Sequence, residues 1–165
     1  MSEGKQDKSK DEYTRALASA TRMLARRQHA AGELRTKLAA RFESEPVERA
    51  LARLDKLGYL DDEKFAYEYA RQRFERSPRS ALAVIMEIEN RGVARITAER
   101  AVAELMSDEG HSDETLAERA MHTKLAVLGR IDPDKARKKL FSFLSSRGFS
   151  RSVARRVVLD ELGLD

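Results

Sequence analysis

Apolar residues along this chain recur at intervals of three and four, the period of one helical face, and nowhere alternate long enough to build a strand. Tyr13, Leu17, Ala20 and Leu24 form one such stripe, so a helix is expected from near Glu12. Further stripes follow with short breaks, and helices are predicted at about 12–28, 31–41, 46–57, 62–76, 79–91, 96–107, 113–128, 133–147 and 151–162. The three prolines read as helix starts. Pro46 opens a segment bearing Val47, Leu51, Leu54 and Leu57, while Ser77-Pro78 and Asp132-Pro133 each pair an N-cap residue with proline at the first helical position. Gly58, Gly92, Gly129, Gly148 and Gly163 mark the opposite ends. Residues 1–10 are small, polar and charged, and a disordered tail is expected there.

At longer period the pattern repeats. Arg91-Gly92-Val93-Ala94-Arg95, continuing to Ala98-Glu99-Arg100-Ala101-Val102, matches Arg147-Gly148-Phe149-Ser150-Arg151 and Ala154-Arg155-Arg156-Val157-Val158 without a gap. Glu48-Arg49-Ala50-Leu51-Ala52 parallels Glu99-Arg100-Ala101-Val102-Ala103, and Phe65-Ala66 parallels Leu116-Ala117. Upstream, Glu33-Leu34 aligns with Glu87-Ile88 and Phe143-Leu144, which makes the next loop of the first unit three residues longer. The expected fold is therefore all-α, with three tandem three-helix repeats of helix-turn-helix type at 11–60, 61–110 and 111–165. A unit of about fifty residues buries too little apolar surface to be stable alone, so stacking into an elongated, curved body with a shared core is expected. Such a body offers a long face instead of a deep pocket, which suits binding another polymer.

Composition narrows the chemistry. Apolar residues make up 41% and aromatics 6%, with no Trp, so the interior must be built mainly from aliphatic side chains. The chain has no Cys, which excludes disulfides and thiol catalysis and fits a reducing cytoplasm. No apolar run approaches a membrane span, and no hydrophobic leader stands at the N-terminus. His29, His111 and His122 lack metal-ligand spacing and read as surface or capping residues. Neither a phosphate-binding glycine loop nor a nucleophile motif occurs, so the reading is a non-enzyme without cofactors.

Charge is distributed unevenly about a net of +4. From Lys135 to Arg156 the chain carries Lys135, Arg137, Lys138, Lys139, Arg147, Arg151, Arg155 and Arg156 with no acid. Arg22 to Arg41 is also basic, with only Glu33 in opposition, whereas Glu99 to Glu118 is acidic apart from Arg100. Basic helices suit phosphates, with salt-sensitive and sequence-indifferent affinity, and acidic ones suit basic patches on a protein. Phe141 stands among these lysines and arginines; stacking on a base is one reading, packing against the neighbouring repeat the more ordinary one. Tyr59, Phe65 and Tyr69 are expected in the core between repeats, and Asp61-Asp62 at a helix start.

Leu57-Gly58-Tyr59-Leu60-Asp61-Asp62, running into Phe65-Ala66, Tyr69, Arg71 and Arg73, resembles the signature of the RecX family. Leu24-Ala25-Arg26-Arg27 with Glu33-Leu34-x-x-Lys37-Leu38 resembles that family's first repeat, and Glu87-Ile88-x-x-Arg91-Gly92-Val93 its second. Arg41 departs from the pattern, standing where Gly92 and Gly148 close helices in the other units, and Ser80-Ala81-Leu82 lacks a glycine common in the family. The resemblance implies a negative regulator of the RecA recombinase that binds the RecA–DNA filament. It would suppress ATPase, strand exchange and filament growth in DNA repair and the SOS response, without a cofactor. A direct, non-specific DNA-binding module is the alternative, on single or double strands. The candidate RecA- or DNA-binding residues are Arg26, Arg27, Arg35, Lys37, Arg71, Arg73, Arg91, Lys135, Arg137, Lys138, Lys139, Arg147, Arg151, Arg155 and Arg156. No dimerisation helix stands out, and a monomer is expected.

Overall fold

The computed structural model describes residues 3–129 and 132–163, and every regular element among them is an α-helix. The helices are α1 (Glu3–Leu24), α2 (Ala31–Ala39), α3 (Ser44–Lys56), α4 (Asp62–Arg76), α5 (Ala81–Glu89), α6 (Arg95–Asp108), α7 (Asp113–Leu128), α8 (Pro133–Ser146) and α9 (Arg151–Leu162). They pack chiefly in threes, α1 to α3, α4 to α6 and α7 to α9, as the periodicity predicts. Most starts carry the expected chemistry. The side chains of Asp61, Ser80, Ser112, Asp132 and Ser150 each accept a hydrogen bond from a first-turn amide, which satisfies a donor that has no intrahelical partner.

Three expectations are corrected. The segment read as a disordered tail is helical from Glu3, and its last residues find partners at the start of α3: Ser9 Oγ donates to Glu45 at 3.0 Å, and Lys8 lies 3.9 Å from Glu43. Ser77 ends α4 and does not start α5; the N-cap is Ser80, and Pro78 lies in the link. The register of the second helices also shifts by one turn. Leu34 and Leu38 of α2 are buried as Val84 and Ile88 are in α5, and as Leu140 and Leu144 are in α8. The third helices bury Val47, Ala50 and Leu51, then Ala98, Ala101 and Val102, then Ala154, Val157 and Val158. In this register the first unit's turn is shorter than the second's, not longer. A shift of four residues leaves an apolar stripe almost unchanged, so the sequence alignment slipped by a full turn.

The core falls into two clusters. One is confined to the first unit and holds Ala20, Leu34, Leu38, Val47, Leu51, Leu54 and Leu60. The other runs continuously through the second and third units, from Phe65 and Phe74 to Leu140 and Val158, and takes in Ala30 from the first.

Successive units meet through the same contact made twice. Asp62, the first residue of α4, accepts a hydrogen bond from the Ala31 amide at 2.9 Å, and Asp113, the first residue of α7, accepts from the Ala81 amide at 2.8 Å. In each case a carboxylate from one unit caps the second helix of the unit before it, where unpaired amides and the helix dipole favour negative charge. The glycine turn of the later unit then packs on that same helix start. Gly92 lies against Gly32, and Gly148 lies against Ser80 and Ala83. The Ser80 amide closes the second joint with a hydrogen bond to the Arg147 carbonyl at 3.2 Å.

Candidate functional site

A basic concavity lies between α8 and α9. Asp132-Pro133 and Ser150 fix where the two helices start, and Leu140, Leu144, Ala154 and Val157 anchor their buried faces. That placement turns Arg137, Lys138 and Phe141 of α8 and Arg151 and Arg155 of α9 into one groove, with Val158 and Leu159 at its base. None of its lining residues is acidic. Among the described residues Lys138, Arg151 and Arg155 make no ion pair, while Arg137 meets Asp134 at 3.3 Å in an exposed pair that contributes little. Phe141 is partly buried against the core and lines the groove within its own unit.

The remaining predicted cations divide by what they touch. Lys135 and Lys139 are exposed on α8 but do not line the groove, and Arg26 is exposed beyond α1. Arg156 instead pairs with Glu114 at 2.5 Å, the same tie that Arg100 makes to Glu63 in the second unit, and so links the third helix to the first. Arg35 is engaged by Glu48, Arg71 by Glu68 and Arg73 by Glu87, at 2.6, 2.7 and 2.6 Å. Arg91 stacks over the Tyr69 ring at 4.7 Å.

Arg147 is drawn into the second joint. Its Nη1 donates to Ser77 Oγ at 2.6 Å and to the Pro78 carbonyl at 3.2 Å, and its guanidinium stacks on Phe143 at 4.7 Å. Burial, with Arg79 and Arg73 nearby, lowers its pKa from the usual arginine value. Arg147→Ala is therefore expected to cost about 1.5–3 kcal/mol of stability, the range for hydrogen bonds to a charged group, measured by urea unfolding.

The first joint holds the signature residues. Asp61 and Asp62 are the helix start expected of them, and Phe65 is buried at 6% exposure. Tyr59 is the exception: expected in the core, it is 65% exposed, because the turn at Gly58 directs it outward from the end of α3. A cleft beside it is lined by Arg27, Gln28, Lys64, Phe65, Tyr69 and Arg91, among others. His29 also departs from its expected surface place and is buried at 6% exposure, with Nδ1 3.0 Å from Glu33 Oε2. Burial pushes the His29 pKa down, against the pull of Glu33. Glu33 also receives Arg27 at 2.5 Å and Lys37 at 3.0 Å. Burial raises the Glu33 pKa, but hydrogen bonds from Arg27 and Lys37 outweigh it and bring the value to about 2. Nothing in the residue order marks this cluster, since its members are ordinary polar residues until the chain folds. Among the described residues no three His, Asp or Glu side chains gather as a metal site, and no helix is long and apolar enough to cross a membrane.

Family models for the first and second three-helix domains of RecX match residues 16–54 and 61–102. The regulatory protein RecX of Thermus thermophilus is 36% identical over 140 residues, covering 84% of this chain and 87% of its own. The chain belongs to the RecX family. The regulatory protein RecX of Chlorobaculum tepidum is 34% identical over 149 residues, covering 90% and 89% of the two chains, and that of Mycobacterium marinum is 34% identical over 160 residues, covering 95% and 89%. The crystal structure of RecX from Lactobacillus salivarius superposes with a TM-score of 0.72 over 93% of this chain and 97% of that one. At 16% identity that likeness speaks for the fold alone. The two matched domains are the units built by α1 to α3 and α4 to α6, so the RecX signature falls on the first joint.

Proposed function

We propose that this RecX-family protein is a negative regulator of RecA, binding the RecA–DNA filament in the cytoplasm and lowering its ATPase, strand exchange and growth during DNA repair and the SOS response. Family membership carries the reading. The repeated joint supports it, because a chain whose second unit is fixed to the first as the third is to the second presents its surfaces at a regular interval. A filament is a periodic partner. The proposed units are those at 11–60, 61–110 and 111–165, acting as a monomer. In this reading the protein supplies no catalytic group: the ATPase that changes belongs to RecA, and the regulator acts by binding one state of the filament more tightly than another.

The test is ATP hydrolysis by RecA on single-stranded DNA while this protein is titrated, added before or after the filament forms. Turnover is expected to fall in both orders. Inhibition far below the RecA concentration assigns action at filament ends, and inhibition only near stoichiometric amounts assigns coating along the filament. Unchanged turnover in both orders, at several salt concentrations, overturns the proposal.

A further inference from the structure

The corrected register brings one position of each unit into direct comparison. Arg35 of α2, Ile85 of α5 and Phe141 of α8 each follow the first residue of the buried aliphatic pair that aligns the second helices, Leu34, Val84 or Leu140. At the aligned place on the third helices, Glu48, Glu99 and Arg155 each follow Val47, Ala98 or Ala154, the buried residues that stand in register. The same inter-helix groove thus carries three different chemistries.

In the first unit the groove is closed by its own side chains: Arg35 Nε meets Glu48 Oε1 at 2.6 Å and Nη2 meets Oε2 at 3.1 Å, a two-point pair. In the second unit Glu99 is neutralised by Arg95 at 2.7 Å. In the third unit both internal partners are replaced. The acid becomes Arg155, the arginine opposite becomes Phe141, and Arg151 stands where Arg95 stands in the second unit. Among the described residues, the third groove alone of the three holds cations without acidic partners, Lys138, Arg151 and Arg155, around an aromatic ring.

From this we infer that the α8–α9 groove binds a single strand of nucleic acid directly, its phosphates held by Lys138, Arg151 and Arg155 and one base stacked on Phe141. The required parts are a cationic track and an aromatic face, and stacking on a ring is tolerant of base identity. A duplex fits poorly. Packed helices lie about 8–10 Å apart, far narrower than a double helix, and a duplex keeps its base faces stacked away from Phe141. The inference deepens the filament reading by naming a nucleic-acid contact, yet it is read without RecA, so either can fail alone.

The experiment is fluorescence anisotropy of a labelled oligothymidylate, and of a duplex of equal length, titrated with the full chain and its variants. Three phosphate contacts predict a log–log salt slope of roughly −2 on the single strand. Arg155→Glu is expected to weaken binding by more than tenfold, whereas Lys56→Glu, the same charge change on α3, should weaken it less than twofold. Phe141→Leu is expected to lose about tenfold with the salt slope unchanged, since stacking contributes affinity without releasing counterions. Phe141→Tyr keeps the ring and should bind nearly as the parent does, and far-UV circular dichroism checks that each variant is folded. Equal losses from Lys56→Glu and Arg155→Glu would reduce the site to diffuse charge and overturn it. So would equal affinity for the duplex, or a Phe141→Leu protein that is folded and binds normally.

Discussion

Gly92→Ala is expected to destabilise the protein by about 3–4 kcal/mol, against about 1 kcal/mol for Gly58→Ala. Both glycines have left-handed backbone, at φ +85° and +75°, so an added Cβ costs conformational energy at either. Only the surroundings differ. A Cβ on Gly58 meets nothing within 4 Å, whereas one on Gly92 would stand 2.5 Å from Gly32 Cα, against backbone of the preceding unit. Backbone cannot swing aside as a flexible side chain can, so the joint must open, and the Asp62 cap on α2 is strained with it. Gly32→Ala sharpens the comparison. Gly32 lies in the first turn of α2, where alanine normally stabilises by about 1 kcal/mol, but here its Cβ would overlap the Gly92 carbonyl oxygen. It should therefore destabilise. Urea unfolding of the three variants decides the matter, and a Gly32→Ala protein as stable as the parent would show that the joint yields. Gly148→Ala should fall between, because its Cβ would meet the side chains of Ala83 and Ser80 at 2.7 and 2.8 Å instead of backbone.

Glu33→Gln is expected to cost about 2–3 kcal/mol at neutral pH, and to remove most of an acid-dependent loss of stability. Glu33 is 13% exposed and holds Arg27, Lys37 and His29 together at the start of α2. Its pKa in the folded protein is about 2 against an ordinary 4.5. A carboxylate with a depressed folded pKa contributes stability that is complete above its unfolded value and lost as pH falls through the folded one. The loss should therefore begin near pH 4.5 and be nearly complete near pH 2. In urea unfolding from pH 6 to pH 2.5, the difference between parent and Glu33→Gln should shrink steadily below pH 4.5. A difference that stays constant across the range would mean that the glutamate contributes by packing alone. The variant keeps the shape but leaves His29, Arg27 and Lys37 around a neutral amide, so the loss at neutral pH measures charge and not volume.

Much of the architecture was legible in the residue order. The apolar spacing located each helix to within a few residues in most cases, and the Arg-Gly turns at 91–92 and 147–148 exposed the repeat. Pro133 after Asp132 marked a helix start correctly because both residues act within one turn of themselves. Ser77-Pro78 misled because the same dipeptide also suits a helix end, and what distinguishes the two lies in which residues are buried next. The candidate cations show the limit more sharply. Arg155 and Arg156 are neighbours of one type, yet Arg155 faces an open groove and Arg156 is tied to Glu114. The roughly 100° turn between consecutive helical residues separates them, and only a packed neighbour gives each direction a meaning.

What the sequence determined by itself is local: helix positions, most of their caps, the triple repeat and the family, all set by interactions spanning a few residues or by patterns that survive translation along the chain. Tertiary structure decided the register of α2 against α5 and α8, the burial of His29 and Glu33, the exposure of Tyr59, and which arginines are engaged. They depend on how the helices pack, in part through partners thirty or more residues away, as Ala31 depends on Asp62 and Arg147 on Ser77. A four-residue slip preserves every local preference of a helix, so only the close fit of one backbone on another, Gly92 upon Gly32, selects the register that the chain adopts.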